Sequence, residues 1–330
     1  MKTKLLYILV SSQTDIYLEQ AYISISSVRH HMGRNVRVCL LTDNQTRASM
    51  YGGRSHILEL VDEVVSVDVG NGFSPQQRSR ILKTSARNLV NGDYLFIDCD
   101  TIVLKPIEEI DSCPAEIAAV KDCHTDFALN PYRQMCLNHC RRLVSDIPDI
   151  PTYYNSGVLL VKDTPFTREF YQKWHENWLK GRERGVNMDQ PSFNITNILM
   201  GNPVKELSGE WNCQYIHGIR FLNKAYILHY LCTNKLAKND TASFLLRDES
   251  ILMGLKKDYE IPQEIAKCFD NPFLGIPSLT HLHAGKSVGL FNTVEWKCFF
   301  STYGTNYFKL YRYLGKIINK YRKIVKNETV

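Results

Sequence analysis

Four consecutive large apolar residues, Tyr94, Leu95, Phe96 and Ile97, run straight into two aspartates one residue apart, Asp98 and Asp100. A run without polar alternation reads as a strand buried on both faces, which belongs in a mostly parallel sheet covered by helices. Carboxylates at the C-terminal end of such a strand lie at the edge where open α/β sheets bind ligands. They cost desolvation energy unless a cation meets them, and paired oxygen ligands suit Mg²⁺ or Mn²⁺ carrying a substrate phosphate. An aspartate-rich turn is the plainer alternative. A second apolar run over residues 101–104 nevertheless sets the pair between core segments rather than in a polar loop.

Elsewhere short apolar strands alternate with amphipathic stretches. The pattern predicts strands over 5–10, 36–41, 64–67 and 94–97, helices over 18–31 and 77–90, then a strand over 155–163 and a helix over 167–180. This is βαβ alternation, hence an α/β fold whose mostly parallel sheet is flanked by helices. With 330 residues, 44% of them hydrophobic, the chain can bury a large core. Residues 1–245 are expected to form a catalytic domain and 246–330 a helical extension. The ten cysteines include no zinc-finger spacing, which points to free thiols in a reducing cytosol. The apolar stretch 5–10 after Lys2 and Lys4 is too short to span a membrane and reads as the first strand.

Several ordered motifs resemble those of family 8 retaining glycosyltransferases of the GT-A fold, the group of glycogenin-like and lipopolysaccharide galactosyltransferase-like enzymes. The resemblance covers residues 4–240. It implies that Asp98 and Asp100 hold Mn²⁺ or Mg²⁺ on the diphosphate of a UDP-sugar donor. The third ligand in that family is a histidine in the pattern H-F/Y-x-G-x-x-K, which His229, Tyr230 and Lys235 match, with Cys232 at the glycine position. Lys235 would then clamp the diphosphate. A competing segment, THLHAGK, offers His283 instead.

By the same resemblance Ser12, Asp15 and Tyr17 contact the uracil and ribose, although an N-cap and a packing tyrosine would look the same. Arg80 and Lys83 reach the donor from the preceding helix. Asn155 and Gly157, in YNSGVLLV, face the donor sugar, and Asp189 and Gln190, in NMDQPSFN, lie beside the anomeric carbon as the catalytic pair. Pro191 departs from the family pattern there, and WN at 211–212 matches an element on the acceptor side. A covalent intermediate on Asp189 and front-face attack both remain open, with front-face transfer favoured by the resemblance.

The net charge is +6, and basic residues are concentrated in the last thirty positions. There Tyr307, Leu310, Tyr311, Leu314, Ile317, Ile318, Tyr321, Ile324 and Val325 share one helical face, with Lys309, Arg312, Lys316, Lys320 and Lys323 largely elsewhere. An ordinary packed helix would show this stripe, but the aromatic and basic enrichment suits an anionic membrane surface. The expected partners are a UDP-sugar, a glycan or lipid-linked glycan acceptor and the cytoplasmic face of a membrane. No nucleic acid is expected, because the basic residues do not line a domain face. Two rivals stand beside this reading: a non-catalytic nucleotide-sugar binder, and a nucleotidyltransferase, which would want a glycine-rich loop that SSQTDIYLEQ does not supply.

Overall fold

The computed structural model describes residues 1–145, 149–231, 246, 249–276, 296, 299, 305 and 307–327. Its strands are β1 (Lys4–Leu9), β2 (Val38–Asp43), β3 (Glu63–Val67), β4 (Tyr94–Ile97), β5 (Thr101–Val103), β6 (Ile117–Lys121), β7 (Tyr154–Val161), β8 (Lys205–Glu206), β9 (Cys213–Gln214) and β10 (Ile227–His229). Its α-helices are α1 (Tyr17–Met32), α2 (Asn44–Ala48), α3 (His56–Leu60), α4 (Pro75–Leu89), α5 (Arg133–Leu143), α6 (Pro165–Glu183), α7 (Gln190–Leu199), α8 (Glu249–Leu255), α9 (Gln263–Asp270) and α10 (Phe308–Asn327).

Seven strands form one sheet in the order β3-β2-β1-β4-β7-β6-β8. Parallel pairs join β1 to β2 and β4, β2 to β3, and β6 to β8, while β7 runs antiparallel to both β4 and β6. The unbroken apolar runs follow from burial on both faces. Leu5, Tyr7 and Leu9 of β1 share one core with Leu95 and Ile97 of β4, and Leu6 and Ile8 share a second core with Tyr94 and Phe96. The fold is thus the expected mostly parallel α/β sheet between helices.

A small sheet, β5-β10-β9, completes the frame. It matters most for position, because β10 pairs antiparallel with β5 in a register that sets His229 opposite Thr101. One strand therefore delivers a histidine to the residues that follow β4. On the other side, β7 pairs with β4 so that Ile97 faces Val158, and the Asp98 N–H donates to the Gly157 carbonyl at 2.8 Å.

Element boundaries differ from the sequence reading where capping decides them. α4 begins at Pro75 because Ser74 and Gln77 form a capping box around it, and α6 begins at Pro165 under the Thr164 cap. β2 starts at Val38 and runs on to Asp43, whose carboxylate then caps α2 through the Thr46 N–H at 2.7 Å.

Two compact units divide the chain, Met1–Ser278 and Leu279–Val330. The segment beyond residue 245 is therefore shared: α8 and α9 pack in the first unit, with Leu252, Leu255, Ile265 and Phe269 in a core that includes Ile23 of α1. α10 belongs to the second unit. Among the described residues, no helix is long and apolar enough to cross a membrane.

Candidate active site

Asp98, Asp100 and His229 offer ligand atoms that all lie within 4.8 Å of one another. Strand pairing produces this meeting. Asp98 and Asp100 occupy the short connection between β4 and β5, and the β5–β10 register places His229 beside it, with Nε2 3.2 Å from Asp100 Oδ1. Two hard oxygen donors and an imidazole form a donor set that fits Mn²⁺ or Mg²⁺ with positions left for substrate oxygens. Gly157 makes room for it: a Cβ there would stand 2.3 Å from His229 Cε1 and 2.9 Å from Asp98 Oδ2.

Opposing tendencies act on the three ligands. Burial lowers the basicity of His229, but Asp100 and Asp98 outweigh it and hold its pKa above the ordinary value. Burial raises the Asp98 carboxyl, the Lys83 ammonium opposes this, and Asp100 adds to it, leaving the pKa raised. The open side of the cluster is at Asp98, whose side chain is 30% exposed against 4% for His229.

α4 brings two cations to the same place. Lys83 Nζ lies 3.3 Å from Asp98 Oδ1 and 3.1 Å from Asp189 Oδ2, and Arg80 Nε lies 2.7 Å from Asp189 Oδ1. Asp189 occupies the position before α7 yet its side chain does not cap that helix. The carboxylate turns instead to Lys83, Arg80 and the Ser156 hydroxyl, which donates to Oδ2 at 2.8 Å. Burial raises its pKa, but Lys83, Arg80 and Ser156 together hold it well below the usual carboxylate range. Gln190 accepts from the Ser156 N–H through Oε1 at 3.2 Å.

The fold thus gathers Arg80, Lys83, Asp98, Asp100, Asn155, Gly157, Asp189, Gln190 and His229 around one point. Ser12 and Asp15 form a second group at the end of β1. There Asp15 accepts from the Ser12 N–H at 2.7 Å, the Ser11 hydroxyl at 2.6 Å and the Tyr17 N–H at 3.2 Å. Tyr17 is an electrostatic neighbour of Arg80, and Cys99 donates through Sγ to the Ile8 carbonyl at 3.4 Å, which ties the two groups together. Lys235 and His283 lie outside the described residues.

Two contributors, Ser156 and Asp122, were not singled out in the sequence, and Asn212 was matched there only to an element on the acceptor side. Ser156 sits inside YNSGVLLV and holds Asp189. Asn212 accepts from His229, and Asp122 accepts from Asn155 at 3.1 Å. Their signals are single polar residues far apart in the chain, which no local spacing connects.

A mostly parallel sheet with paired aspartates after its central strand and a histidine from a small accessory sheet beside them is the arrangement of a GT-A type fold. Residues 92–236 match the glycosyl transferase family 8 model, the family whose motifs the site residues resemble. The galactosyltransferase LgtC, in complex with donor and acceptor sugar analogs, shares the fold with a TM-score of 0.53 and 15% identity, over 80% of this chain and 99% of LgtC. An active-site mutant of LgtC gives 0.51 and 15%, over 79% and 98%. The apo form of mouse xyloside xylosyltransferase 1 gives 0.46 and 17%, over 70% and 98%. No curated protein sequence matches the chain.

Proposed function

We propose that this chain transfers a hexose, glucose or galactose, from a UDP-sugar to a glycan or lipid-linked glycan acceptor, with retention of configuration and dependence on Mn²⁺ or Mg²⁺. The observation that carries the reading is the convergence of Asp98, Asp100 and His229 beside the Lys83–Asp189 ion pair, within a family 8 domain. Asp98, Asp100 and His229 would hold the metal, which when bound neutralises charge on the departing diphosphate. Lys83, Arg80 and Lys235 would add positive charge on that side. Ser12, Asp15 and Tyr17 would seat the nucleoside, and Asn155 and Gly157 would border the sugar.

Asp189 favours front-face transfer over a covalent intermediate. Both of its oxygens face cations and one also accepts from Ser156, so the carboxylate is a weak nucleophile whose charge suits an oxocarbenium-like centre. A glycosylated Asp189 peptide in a mass spectrum would overturn this. Gln190 would lie on the same face of the sugar.

The second unit suits a membrane-bound acceptor. α10 exposes Leu310, Leu314, Ile317 and Ile318, and its basic residues include Lys309, Arg312 and Lys316. Such a helix would lie in the interface of an anionic bilayer. The enzyme would then work at the cytoplasmic face of a membrane as a peripheral protein.

Turnover is tested by following UDP release from UDP-glucose and UDP-galactose with Mn²⁺ or with EDTA. Release that needs the metal and is lost in Asp98→Asn supports the reading; release indifferent to both counts against it.

A further inference from the structure

Asn212, Asn155 and Asp122 form a buried hydrogen-bonded relay that ends on His229. His229 Nδ1 lies 3.0 Å from Asn212 Oδ1, Asn212 Nδ2 donates to Asn155 Oδ1 at 3.0 Å, and Asn155 Nδ2 donates to Asp122 Oδ1 at 3.1 Å. None of these side chains is more than 8% exposed. Water therefore offers no alternative partners, and the polarity of each amide must be satisfied within the chain.

That polarity is set from two ends. The Asp122 carboxylate offers only acceptors, and it also receives Asn130 Nδ2 at 3.1 Å, so Asn155 must point its nitrogen at Asp122. The Gly157 N–H offers only a donor, and it reaches Asn155 Oδ1 at 2.9 Å, which fixes the same orientation independently. Asn212 must then turn its nitrogen to Asn155 and its oxygen to His229. An oxygen facing Nδ1 requires the proton there and leaves Nε2 as the ring's outward nitrogen, on the side of Asp100.

The frame beneath the relay is rigid. Cys123 and His124, which follow Asp122, both adopt left-handed backbone angles, φ 55° and 52°. Such strain persists only where surrounding structure imposes it. Here the Cys123 N–H donates to Gln214 Oε1 at 2.8 Å, and the Gln214 N–H donates to His124 Nε2 at 3.0 Å. Burial, then the Arg220 charge, push His124 down to about 3, so its ring stays a neutral acceptor. Gln214 is two residues from Asn212, so both ends of the relay rest on one anchored turn.

We infer that Asn212 is a positioning residue for the metal site, holding His229 in the Nδ1–H tautomer with Nε2 presented to the ion, and that Asp122 imposes this orientation through Asn155. The inference rests on the metal reading proposed above, and it gives Asp122 influence over metal affinity without contact with the ligands.

Mn²⁺ titration of the full chain without donor, followed by electron paramagnetic resonance of the free ion, tests it together with imidazole ¹⁵N shifts of His229. Asn212→Leu, which cannot accept from Nδ1, should weaken Mn²⁺ binding about 10–100-fold and mix the tautomers. Asn212→Asp still accepts from Nδ1 while placing an oxygen against Asn155 Oδ1. It should lose thermal stability yet keep Mn²⁺ affinity near that of the native protein. Asp122→Ala should weaken binding in the direction of Asn212→Leu. Unchanged affinity and tautomer in Asn212→Leu or Asp122→Ala, or an equal loss in Asn212→Asp and Asn212→Leu, overturns the inference. If the native protein binds no Mn²⁺, the metal reading has failed, and the ¹⁵N shifts still decide whether the relay sets the tautomer.

Discussion

Gly157 shows how much of the site depends on one missing methyl group. Its Cβ position falls inside contact distance of two proposed ligands, His229 and Asp98, both on short, paired backbone that cannot retreat far. Overpacking of this kind costs about 1–3 kcal/mol, and 1.4 kcal/mol is about tenfold in binding. Gly157→Ala should therefore weaken Mn²⁺ binding about tenfold with an unchanged far-UV circular dichroism spectrum; full affinity would show that the site has slack. Asp189 gives a second test, in pH. Its folded-state pKa is depressed, so the stability it contributes is complete above the unfolded value of 3.8 and declines as pH falls below it. Asp189→Asn leaves Lys83 and Arg80 facing an amide, and breaking a buried pair costs about 3–5 kcal/mol. Urea midpoints should differ at neutral pH and converge in acid; a constant gap would contradict the charge assignment. Asp98, Asp100, His229 and Asp189 were legible in the sequence because each sits in a short motif. Asp122 was not, and Asn212 showed only in the WN pair as an acceptor-side element, since each hydrogen bond to Asn155 spans 33 or 57 residues of chain.

At the level of elements, two register choices build the site. β10 against β5 supplies the histidine, and β7 against β4 supplies Gly157. The sequence revealed β4 and β7 as apolar runs. It showed β5 as the apolar run 101–104 but concealed β9 and β10, which are two and three residues long and get their stability from pairing rather than from any pattern of their own. Helix starts were displaced by up to two residues, because caps rather than periodicity set them. α4 carries Arg80 and Lys83, and its capping box at Ser74 and Gln77 holds its first turn. Ser74→Ala should cost about 1 kcal/mol in urea denaturation. Mn²⁺ affinity should stay unchanged, since Lys83 lies more than two turns further along; a matching loss of affinity would show that the helix start positions the cations.

For the whole molecule, the first unit holds the described residues of the proposed site and the second the proposed membrane helix. Pairing the α10 substitutions Leu310→Glu and Ile317→Glu should abolish sedimentation with phosphatidylglycerol vesicles while leaving UDP release intact; retained sedimentation would remove the membrane reading. The α/β class was readable from strand and helix alternation, whereas the extent of the first unit, which takes in α8 and α9, depends on long-range packing against α1. The metal-assisted nucleotide-sugar site underlies every role proposed for the first unit. It is tested most directly by isothermal titration of UDP-glucose, UDP-galactose and GDP-mannose into the protein, with and without Mn²⁺, alongside an Asp98→Asn, Asp100→Asn double variant. One UDP-hexose should bind only with Mn²⁺, and the variant should bind none. Absence of binding by all three donors, or binding indifferent to both metal and variant, would contradict it.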